Sequence, residues 1–275
     1  MYPNKLEIRD EEISQLLNDI SDWYGYDFTE YSKASMKRRI LRLIHIDKFM
    51  NFQSFQNRIK LDESYFLRFI EEITVNVTEM FRDPKFFKIL REQVLSNIAH
   101  HSFIKIWHAG CATGEEVYSM AILLHEAGLL EKSLLYATDL KAQVLETVAK
   151  GIYPLRHMKL FSENYIQSGG KEDFSKYYTA NYDNVKFSKF LVQRLVTSTH
   201  NLVSDGSFNE FQLVLCRNVL IYFEKQLQDR AIKVFDASLE LGGYLALGSK
   251  ESLKYVDLNN RYQQVGKEKI WKKIC

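Results

Sequence analysis

The sequence predicts an α/β domain that follows a small all-helical N-terminal domain. Three observations lead to this fold class. Residues 1–75 show helical periodicity throughout, with apolar side chains three and four positions apart. From about residue 76, short β-rich runs alternate with helices, which is typical of a parallel sheet with crossover helices. A polar stretch at about 152–200 interrupts this alternation and indicates an inserted antiparallel β subdomain, at about 175–200, in the domain formed by residues 76–275.

The N-terminal domain is predicted to contain a series of amphipathic helices. In the second of them the apolar side chains from Met36 to Ile44 share one face, and the cations lie on the other. No strand pattern interrupts the series. The predicted helices are residues 11–23, 33–49, 52–59 and 63–75.

The α/β domain is predicted to begin with a helix at Asp83 and Pro84, an N-cap followed by proline at the first helical position. This helix runs to about Ile98. Gly151 and Gly242 are predicted to end later helices. The other predicted helices are residues 115–127, 141–150 and 224–239, and the predicted strands are 103–108, 134–138, 184–190, 195–199, 211–216, 244–248 and 269–274.

Composition excludes several classes of protein. The chain has 275 residues, 46% of them apolar and 26% charged, which fits a soluble globular protein. A net charge of +2 gives no reason to expect a nucleic-acid partner. The three widely spaced cysteines predict neither a disulfide framework nor a zinc site, and no other metal site is expected. Because the N-terminus lacks the apolar core of a signal peptide, a reducing cytoplasm is the expected location.

The segment FQLVLCRNVLIYF, residues 211–223, points to a ligand site. Its first apolar run is predicted to be a buried strand, and Arg217 and Asn218 follow at the end of that strand. A buried guanidinium needs partners for its five donors, so this pair is hard to explain as core. Open α/β sheets bind ligands at the carboxyl ends of their strands.

A second candidate site lies in IKIWHAGCATGEEVY, residues 104–118. A strand leads into a loop with Gly110 and Gly114, and the next helix begins with Glu115 and Glu116. The dinucleotide fingerprint needs a third glycine, which is missing here. Two carboxylates at a helix start would oppose a phosphate and favour an ammonium group, although one glutamate alone could simply complement the helix dipole.

Asp139, in YATDL, ends the next predicted strand about 25 residues after the glycine loop. An acidic residue at this spacing commonly binds a ribose hydroxyl. It could also cap the helix that follows, and the two roles are compatible. Together the loop and Asp139 predict a nucleoside-bearing ligand, and the missing glycine and phosphate-binding cations favour S-adenosylmethionine over NAD.

The segment TVNVTEMFRDPKFF, residues 74–87, joins the two predicted domains. It carries Asn76, Thr78 and Arg82 just before a helix. Clefts between domains are favoured ligand sites. Taken by themselves, Thr78 is equally consistent with a turn residue and Arg82 with a surface salt-bridge partner.

Five segments occur in the order typical of one known family: TEMFRDPKFF, WHAGCATGEEVYSMAILL, YATDL, FQLVLCRNVLIYF and GGYLALGSKESL. On these, and on MKRRILR in the N-terminal domain, the chain resembles the bacterial chemotaxis receptor methyltransferases, the CheR family. The resemblance covers nearly the whole chain, and CRNVLIYF and AGC-x-TGEE are specific for the family. It implies a Rossmann-like class I methyltransferase domain that transfers a methyl group from S-adenosylmethionine to receptor glutamates, leaving S-adenosylhomocysteine.

The resemblance also implies residue roles. Asp139 would bind the ribose, and Arg82 and Tyr222 would be the active pair. The full set implied to contact the cofactor is Asn76, Thr78, Arg82, Gly110, one or both of Glu115 and Glu116, Asp139, Asn201 and Leu202 near the adenine, Arg217 and Asn218. The partner implied is the cytoplasmic domain of methyl-accepting chemotaxis receptors. The protein is expected to be a monomer and to associate with the membrane only through the receptor. In some members the inserted sheet binds a receptor peptide as an added strand, and residues 175–200 could do so here.

A basic cluster on the second helix is the predicted receptor-binding surface. Taken alone, such a cluster is more often a solvated face than a binding site. The resemblance reverses this preference, since receptor methylation regions are acidic and a basic helix would steer them in. The cluster consists of Lys33, Lys37, Arg38, Arg39 and Arg42.

Two departures from the family pattern are visible. Val117 stands where the family usually has proline, and GSKES, residues 248–252, stands where it tends to have GHSES. The second departure bears on substrate identity.

Two alternative functions are considered. One is a related O-methyltransferase acting on a non-chemotaxis protein, and the other is a non-catalytic S-adenosylmethionine-sensing module. Retention of five residues argues against the second: Arg82, Asp139, Arg217, Asn218 and Tyr222.

Overall fold

The computed structural model describes residues 8–74, 78–253 and 258–275. These residues divide into two compact units, which are described separately. The helical unit comprises residues 8–74 together with Tyr222–Gln228, and the α/β unit comprises the rest. The predicted domain boundary between residues 75 and 76 lies outside the described residues. No helix in the described part of the chain is long and apolar enough to cross a bilayer.

The helical unit consists of the helices that the sequence predicts. Its apolar faces meet in one core, in which Leu16, Ile40 and Phe69 are fully buried. Local signals fix the helix ends. The side chain of Asn51 accepts a hydrogen bond from the Ser54 amide, that of Asp62 accepts one from the Tyr65 amide, and Gly25 ends the first helix at φ +75°. The helices are α1 (Asp10–Tyr24), α2 (Lys33–Ile46), α3 (Phe52–Leu61) and α4 (Glu63–Ile73).

The α/β unit is built around a seven-stranded sheet. The helices before and between its strands are α5 (Pro84–Ile89), α6 (Leu95–Ile98), α7 (Glu115–Glu126), α8 (Ala142–Lys150), α9 (Met158–Gln167) and α10 (Lys225–Ala237), the last of which begins in the helical unit. A π-helical turn, Leu90–Val94, joins α5 to α6. The strands of both sheets in this unit are β1 (Ile104–Ala109), β2 (Ser133–Asp139), β3 (Ile152–Pro154), β4 (Tyr178–Asn181), β5 (Asn184–Phe187), β6 (Leu195–Thr199), β7 (Phe211–Cys216), β8 (Leu239–Leu247), β9 (Tyr262–Gln264) and β10 (Ile270–Lys273).

The order of strands in the large sheet is β6-β2-β1-β7-β8-β10-β9. The first five are mutually parallel, and β10 and β9 are antiparallel additions. From β1 the chain moves outward through β2 to β6, and then returns to the other side of β1 with β7. The order therefore reverses between β1 and β7, and a ligand crevice is expected at the carboxyl ends of these two strands. The predicted α/β class is confirmed.

The predicted antiparallel insert is confirmed as a separate three-stranded sheet with the order β3-β5-β4. One strand assigned to it was wrong. Leu195–Thr199 is β6, which pairs in parallel with β2 at the edge of the large sheet. Its largely exposed, polar side chains made it look like part of the polar insert, because an edge strand needs little apolar surface.

Other local features differ from the sequence analysis. No helix was identified between residues 152 and 184, yet α9 forms there around buried Phe161 and Tyr165. Gly242 does not end a helix but lies inside β8 with φ +86°. Asp83 and Pro84 are the N-cap and first residue of α5, as predicted, but the Asp83 carboxylate makes no cap bond and is paired with Arg217 instead.

Candidate active site

The loop between β1 and α7 is shaped by two glycines. Gly110 has φ +72° and Gly114 has φ +90°, values that side chains disfavour. A Cβ atom at Gly110 would lie 2.6 Å from a methyl group of Val219, and one at Gly114 would lie 2.8 Å from methyl groups of Val148. The loop is pinned to β2, since the amides of Gly110 and Cys111 both donate to the Thr138 carbonyl. The loop is therefore packed too closely to admit larger residues.

Asp139 lies beside this loop at the end of β2. One carboxylate oxygen accepts the Ala112 amide at 2.9 Å, and the other accepts the Lys141 amide at 3.2 Å. Burial raises the pKa of Asp139, and these amide bonds offset part of that effect. A carboxylate has about four acceptor positions, so these amide bonds do not exhaust its capacity to accept from a ligand such as a ribose diol. Asp139 thus fixes the loop after β1 and the turn before α8, but it does not cap α8, whose N-cap is Lys141.

Glu116 lies between the ends of the two central strands. Its carboxylate is 2.9 Å from His108 Nδ1, on β1, and 3.2 Å from an Arg217 guanidinium nitrogen, directly after β7. Burial would raise the pKa of Glu116, but the bond to His108 and the charge of Arg217 outweigh it and lower the pKa. Glu116 is therefore an anion at the crevice predicted by the strand order.

Glu115 occupies a different environment. It is 6% exposed and accepts a hydrogen bond from the Thr113 hydroxyl at 2.7 Å. Burial raises its pKa to about 7, and the Thr113 bond only partly offsets this. Of the two carboxylates, Glu116 is the one that lies beside the strand ends.

The buried Glu115 carboxyl makes a pH-dependent contribution to stability. Its pKa rises from 4.5 to about 7 on folding, so its contribution is full below about pH 4.5 and is lost as the pH rises through 7. The shift corresponds to about 3 kcal/mol. Glu115→Gln is expected to remove this loss and to be more stable than the wild type at pH 8, as measured by urea unfolding across pH 5–8. Exposed Glu163→Gln is the control, and an unchanged pH slope in Glu115→Gln would contradict the expectation.

Arg217 is held by a network that the sequence did not reveal. Its side chain is 3% exposed and pairs with Asp83 at 2.6 Å and with Glu116 at 3.2 Å. It also donates to the Arg82 carbonyl at 3.1 Å and lies 3.9 Å from the Phe86 ring centroid. Its Nε atom is buried without a hydrogen-bond partner. Arg217 thus fixes the main chain at Arg82 and orients Glu116.

Glu251 organises the turn after Arg217. Its buried carboxylate accepts the amides of Gly248 at 2.5 Å, Asn218 at 3.1 Å and Ile221 at 3.3 Å. Asn218 takes φ +62°, which places it in the left-handed region. Burial raises the pKa of Glu251, and the backbone bonds offset part of this. The sequence singled out GSKES as a motif, but its contacts to residues 30 positions earlier could not be read from it.

The remaining predicted cofactor residues are placed as follows. Thr78 and Arg82 are partly exposed in the turn before α5, whereas Asn76 lies outside the described residues. Asn201 and Leu202 follow β6, and the His200 amide donates to the Asp139 carbonyl, so this turn adjoins the end of β2. Tyr222 belongs to the helical unit and Arg82 to the α/β unit.

These residues suit S-adenosylmethionine. A carboxylate at the switch point matches an ammonium group, and a second at the end of β2 matches a ribose. The start of α7 presents acidic side chains, Glu115 and Glu116, which disfavour a phosphate.

Comparison with known proteins agrees with this chemistry. Residues 11–74 match the CheR methyltransferase all-alpha domain, and residues 76–270 match the CheR methyltransferase SAM binding domain. The chain belongs to the CheR methyltransferase family. It is therefore a methyltransferase that uses S-adenosylmethionine, as predicted.

The chain is similar to several members of this family. A putative methyltransferase, Cher3 of Pseudomonas putida, is 44% identical over 96% of this chain and 97% of its own length. A chemotaxis protein methyltransferase of Listeria innocua is 32% identical over 83% of this chain and 85% of its own. Another, from Borreliella burgdorferi, is 27% identical over 90% of each chain.

Proposed function

We propose that this protein transfers a methyl group from S-adenosylmethionine to glutamate side chains of methyl-accepting chemotaxis receptors. The product is a glutamyl methyl ester. The observation that carries this proposal is that Glu116, Arg217 and Asp139 lie beside the carboxyl ends of β1, β7 and β2, where the strand order predicts a ligand crevice. The basic surface of α2, described below, supports the receptor as the substrate.

The chemistry places few demands on the protein. A glutamate carboxylate is already ionised at neutral pH, since its usual pKa is about 4.3, and it needs no general base. The bound cofactor supplies an activated methyl group. The protein must orient the carboxylate and strip water from it, and positioning of this kind is worth on the order of 7–11 kcal/mol.

Arg82 and Tyr222 are the residues proposed to position the substrate. An arginine can grip a carboxylate with two parallel hydrogen bonds, and a tyrosine hydroxyl can fix its angle. In the α/β unit, the bond from Arg217 to the Arg82 carbonyl fixes the main chain from which the Arg82 side chain extends.

Cofactor binding is assigned to the residues around the crevice. Glu116 is proposed to accept the ammonium group and Asp139 the ribose hydroxyls. Gly110 is proposed to allow the loop to approach the cofactor closely. Asn201 and Leu202 lie beside the end of β2, where the adenine is proposed to bind. Asn76, Thr78, Arg217 and Asn218 complete the proposed set.

The receptor is proposed to dock on part of the basic cluster of α2. Lys33, Arg38 and Arg42 are exposed. Lys37 is instead paired with Asp10 at 2.6 Å, which reduces its availability. Arg38 and Arg42 lie four residues apart and share one helix face, so they can meet an acidic receptor helix together.

Charge reversal tests this surface. Arg38→Glu combined with Arg42→Glu is expected to raise the receptor KM by about tenfold, because two favourable long-range contacts become repulsive. The dissociation constant of S-adenosylhomocysteine is expected to stay unchanged. The matched control reverses two exposed lysines of the α/β unit, Lys159→Glu with Lys233→Glu, which alters the net charge equally. Equal loss in both double variants would show that net charge, not this surface, matters.

The acceptor group is tested by the stability of the product. The protein is incubated with methyl-labelled S-adenosylmethionine and membranes from its own organism, and the products are treated with mild alkali. Labelled methanol released from receptor-sized bands is expected, since glutamyl methyl esters hydrolyse in base. Label that resists alkali would mean another acceptor, and no label would mean that the receptors are not substrates.

A further inference from the structure

The main chain around Tyr222 is fastened inside the helical unit. The Ser32 amide donates to the Tyr222 carbonyl at 2.8 Å, and the Glu224 amide donates to the Glu30 carbonyl at 2.8 Å. Tyr31 and Phe223 form an antiparallel bridge between these two bonds. Their rings pack edge to face, with centroids 4.9 Å apart. The backbone of Tyr222 is therefore fixed, which leaves only the rotation of its side chain to be determined.

Arg39 contacts the Tyr222 ring directly. Its guanidinium carbon lies 4.9 Å from the ring centroid, within the roughly 6 Å range of a cation–π interaction. The same guanidinium donates to the Ile73 carbonyl, at the end of α4, at 2.8 Å. Because the guanidinium is hydrogen-bonded to the end of α4, it is held in place and does not move with the Tyr222 ring.

Arg39 differs in this respect from its basic neighbours on α2. Arg38 and Arg42 are exposed, whereas Arg39 is partly buried and, among the described residues, contacts Ile73 and Tyr222 of the helical unit. A side chain committed to two internal partners is poorly suited to meet a receptor. Its placement in the receptor-binding cluster rested on its position among the basic residues of this helix and on the family resemblance.

We infer that Arg39 is a positioning residue that orients the hydroxyl of Tyr222 for methyl transfer. The inference rests on the proposed role of Tyr222. The hydroxyl oxygen is the side-chain atom of tyrosine that lies farthest from the main chain. A rotation about the first side-chain bond therefore displaces it more than the ring atoms. A cation anchored over the ring face restricts that rotation.

The first test separates positioning from receptor binding. Arg39→Ala is expected to lower kcat between about tenfold and a hundredfold, the range expected of a small misplacement of a reacting group. The receptor KM and the dissociation constant of S-adenosylhomocysteine are expected to change less than about twofold. Arg58→Ala is the matched control, since Arg58 stacks on a different tyrosine of the same unit, Tyr65, at 5.8 Å. A raised KM with unchanged kcat in Arg39→Ala would overturn the inference and return Arg39 to the receptor surface.

A double-mutant cycle tests whether Arg39 acts through the Tyr222 hydroxyl. Arg39→Ala is expected to cause no further loss of kcat in a Tyr222→Phe background, because the group that it positions is already gone. Additive losses would overturn the inference. If Tyr222→Phe is impaired but Arg39→Ala is not, only the inference fails. If Tyr222→Phe retains the wild-type kcat, the proposed role of Tyr222 fails and the inference fails with it.

An NMR measurement provides a readout that does not depend on activity. With ring-labelled tyrosine, the Tyr222 resonances can be assigned from the Tyr222→Phe variant. They are expected to shift in Arg39→Ala and to stay in place in Arg58→Ala, while Arg39→Lys, which retains a cation, gives an intermediate shift. Unchanged Tyr222 resonances in a folded Arg39→Ala protein would overturn the inference.

Discussion

Replacement of Arg217 by methionine is expected to lower the free energy of unfolding by about 3–5 kcal/mol, the usual cost of removing one partner of a buried ion pair. The side chain is 3% exposed, and its loss leaves Glu116 without its cationic partner near the ends of β1 and β7. Urea unfolding followed by circular dichroism measures this effect. The dissociation constant of S-adenosylhomocysteine is expected to rise tenfold or more, since one charge-assisted hydrogen bond is worth about 1.5–3 kcal/mol.

The control for Arg217 is an arginine in a more exposed pair. Arg261 pairs with Asp236 at the same 2.6 Å distance as Arg217 with Asp83, but its side chain is 38% exposed. Arg261→Met is expected to cost about 1 kcal/mol or less and to leave cofactor affinity unchanged. If Arg217→Met were as stable as Arg261→Met, the network around Arg217 would not be the support of the crevice.

Loss of the Tyr222 hydroxyl is expected to lower the rate of methyl transfer by about a hundredfold. Tyr222→Phe retains the ring and its packing, so the affinity for S-adenosylhomocysteine and the stability are expected to stay unchanged. Single-turnover transfer from pre-bound cofactor isolates the chemical step. Arg82→Ala is expected to lower the rate at least as much and to raise the receptor KM, because the substrate carboxylate loses the arginine proposed to bind it.

Tyr26→Phe serves as the control for Tyr222→Phe, since Tyr26 is another partly exposed tyrosine of the helical unit. It is expected to transfer methyl groups at the wild-type rate. Wild-type single-turnover rates in both Tyr222→Phe and Arg82→Ala would show that neither residue positions the substrate.

The sequence predicted the parts of the site that depend on local patterns. Strand β7 was predicted with its observed bounds, and the α7 helix begins at Glu115 as expected, because a buried apolar run and a glycine loop are local signals. The αL cap at Gly151 follows in the same way from one residue type, and its φ is +61°.

Contacts between distant segments were not predictable. Arg217 finds its partners 101 and 134 positions away, and no pattern within residues 211–223 identifies them. The edge position of β6 is decided by pairing with β2, not by its own composition. Arg39 resembles its basic neighbours in sequence. It differs from them in its contacts with Ile73 and Tyr222, which lie far from it along the chain. The sequence thus shows which residues are charged, but only the folded structure shows which partners they bind.

The central claim is that the protein methylates glutamates of chemotaxis receptors at the crevice of the α/β unit. Mass-spectrometric mapping of receptor peptides, after incubation with the protein and S-adenosylmethionine, tests it most directly. The account predicts that the added methyl groups fall on glutamate side chains of the cytoplasmic receptor helices, and that Tyr222→Phe greatly reduces their number. Methyl groups on any other residue type, or on glutamates to the same extent with Tyr222→Phe, would contradict it.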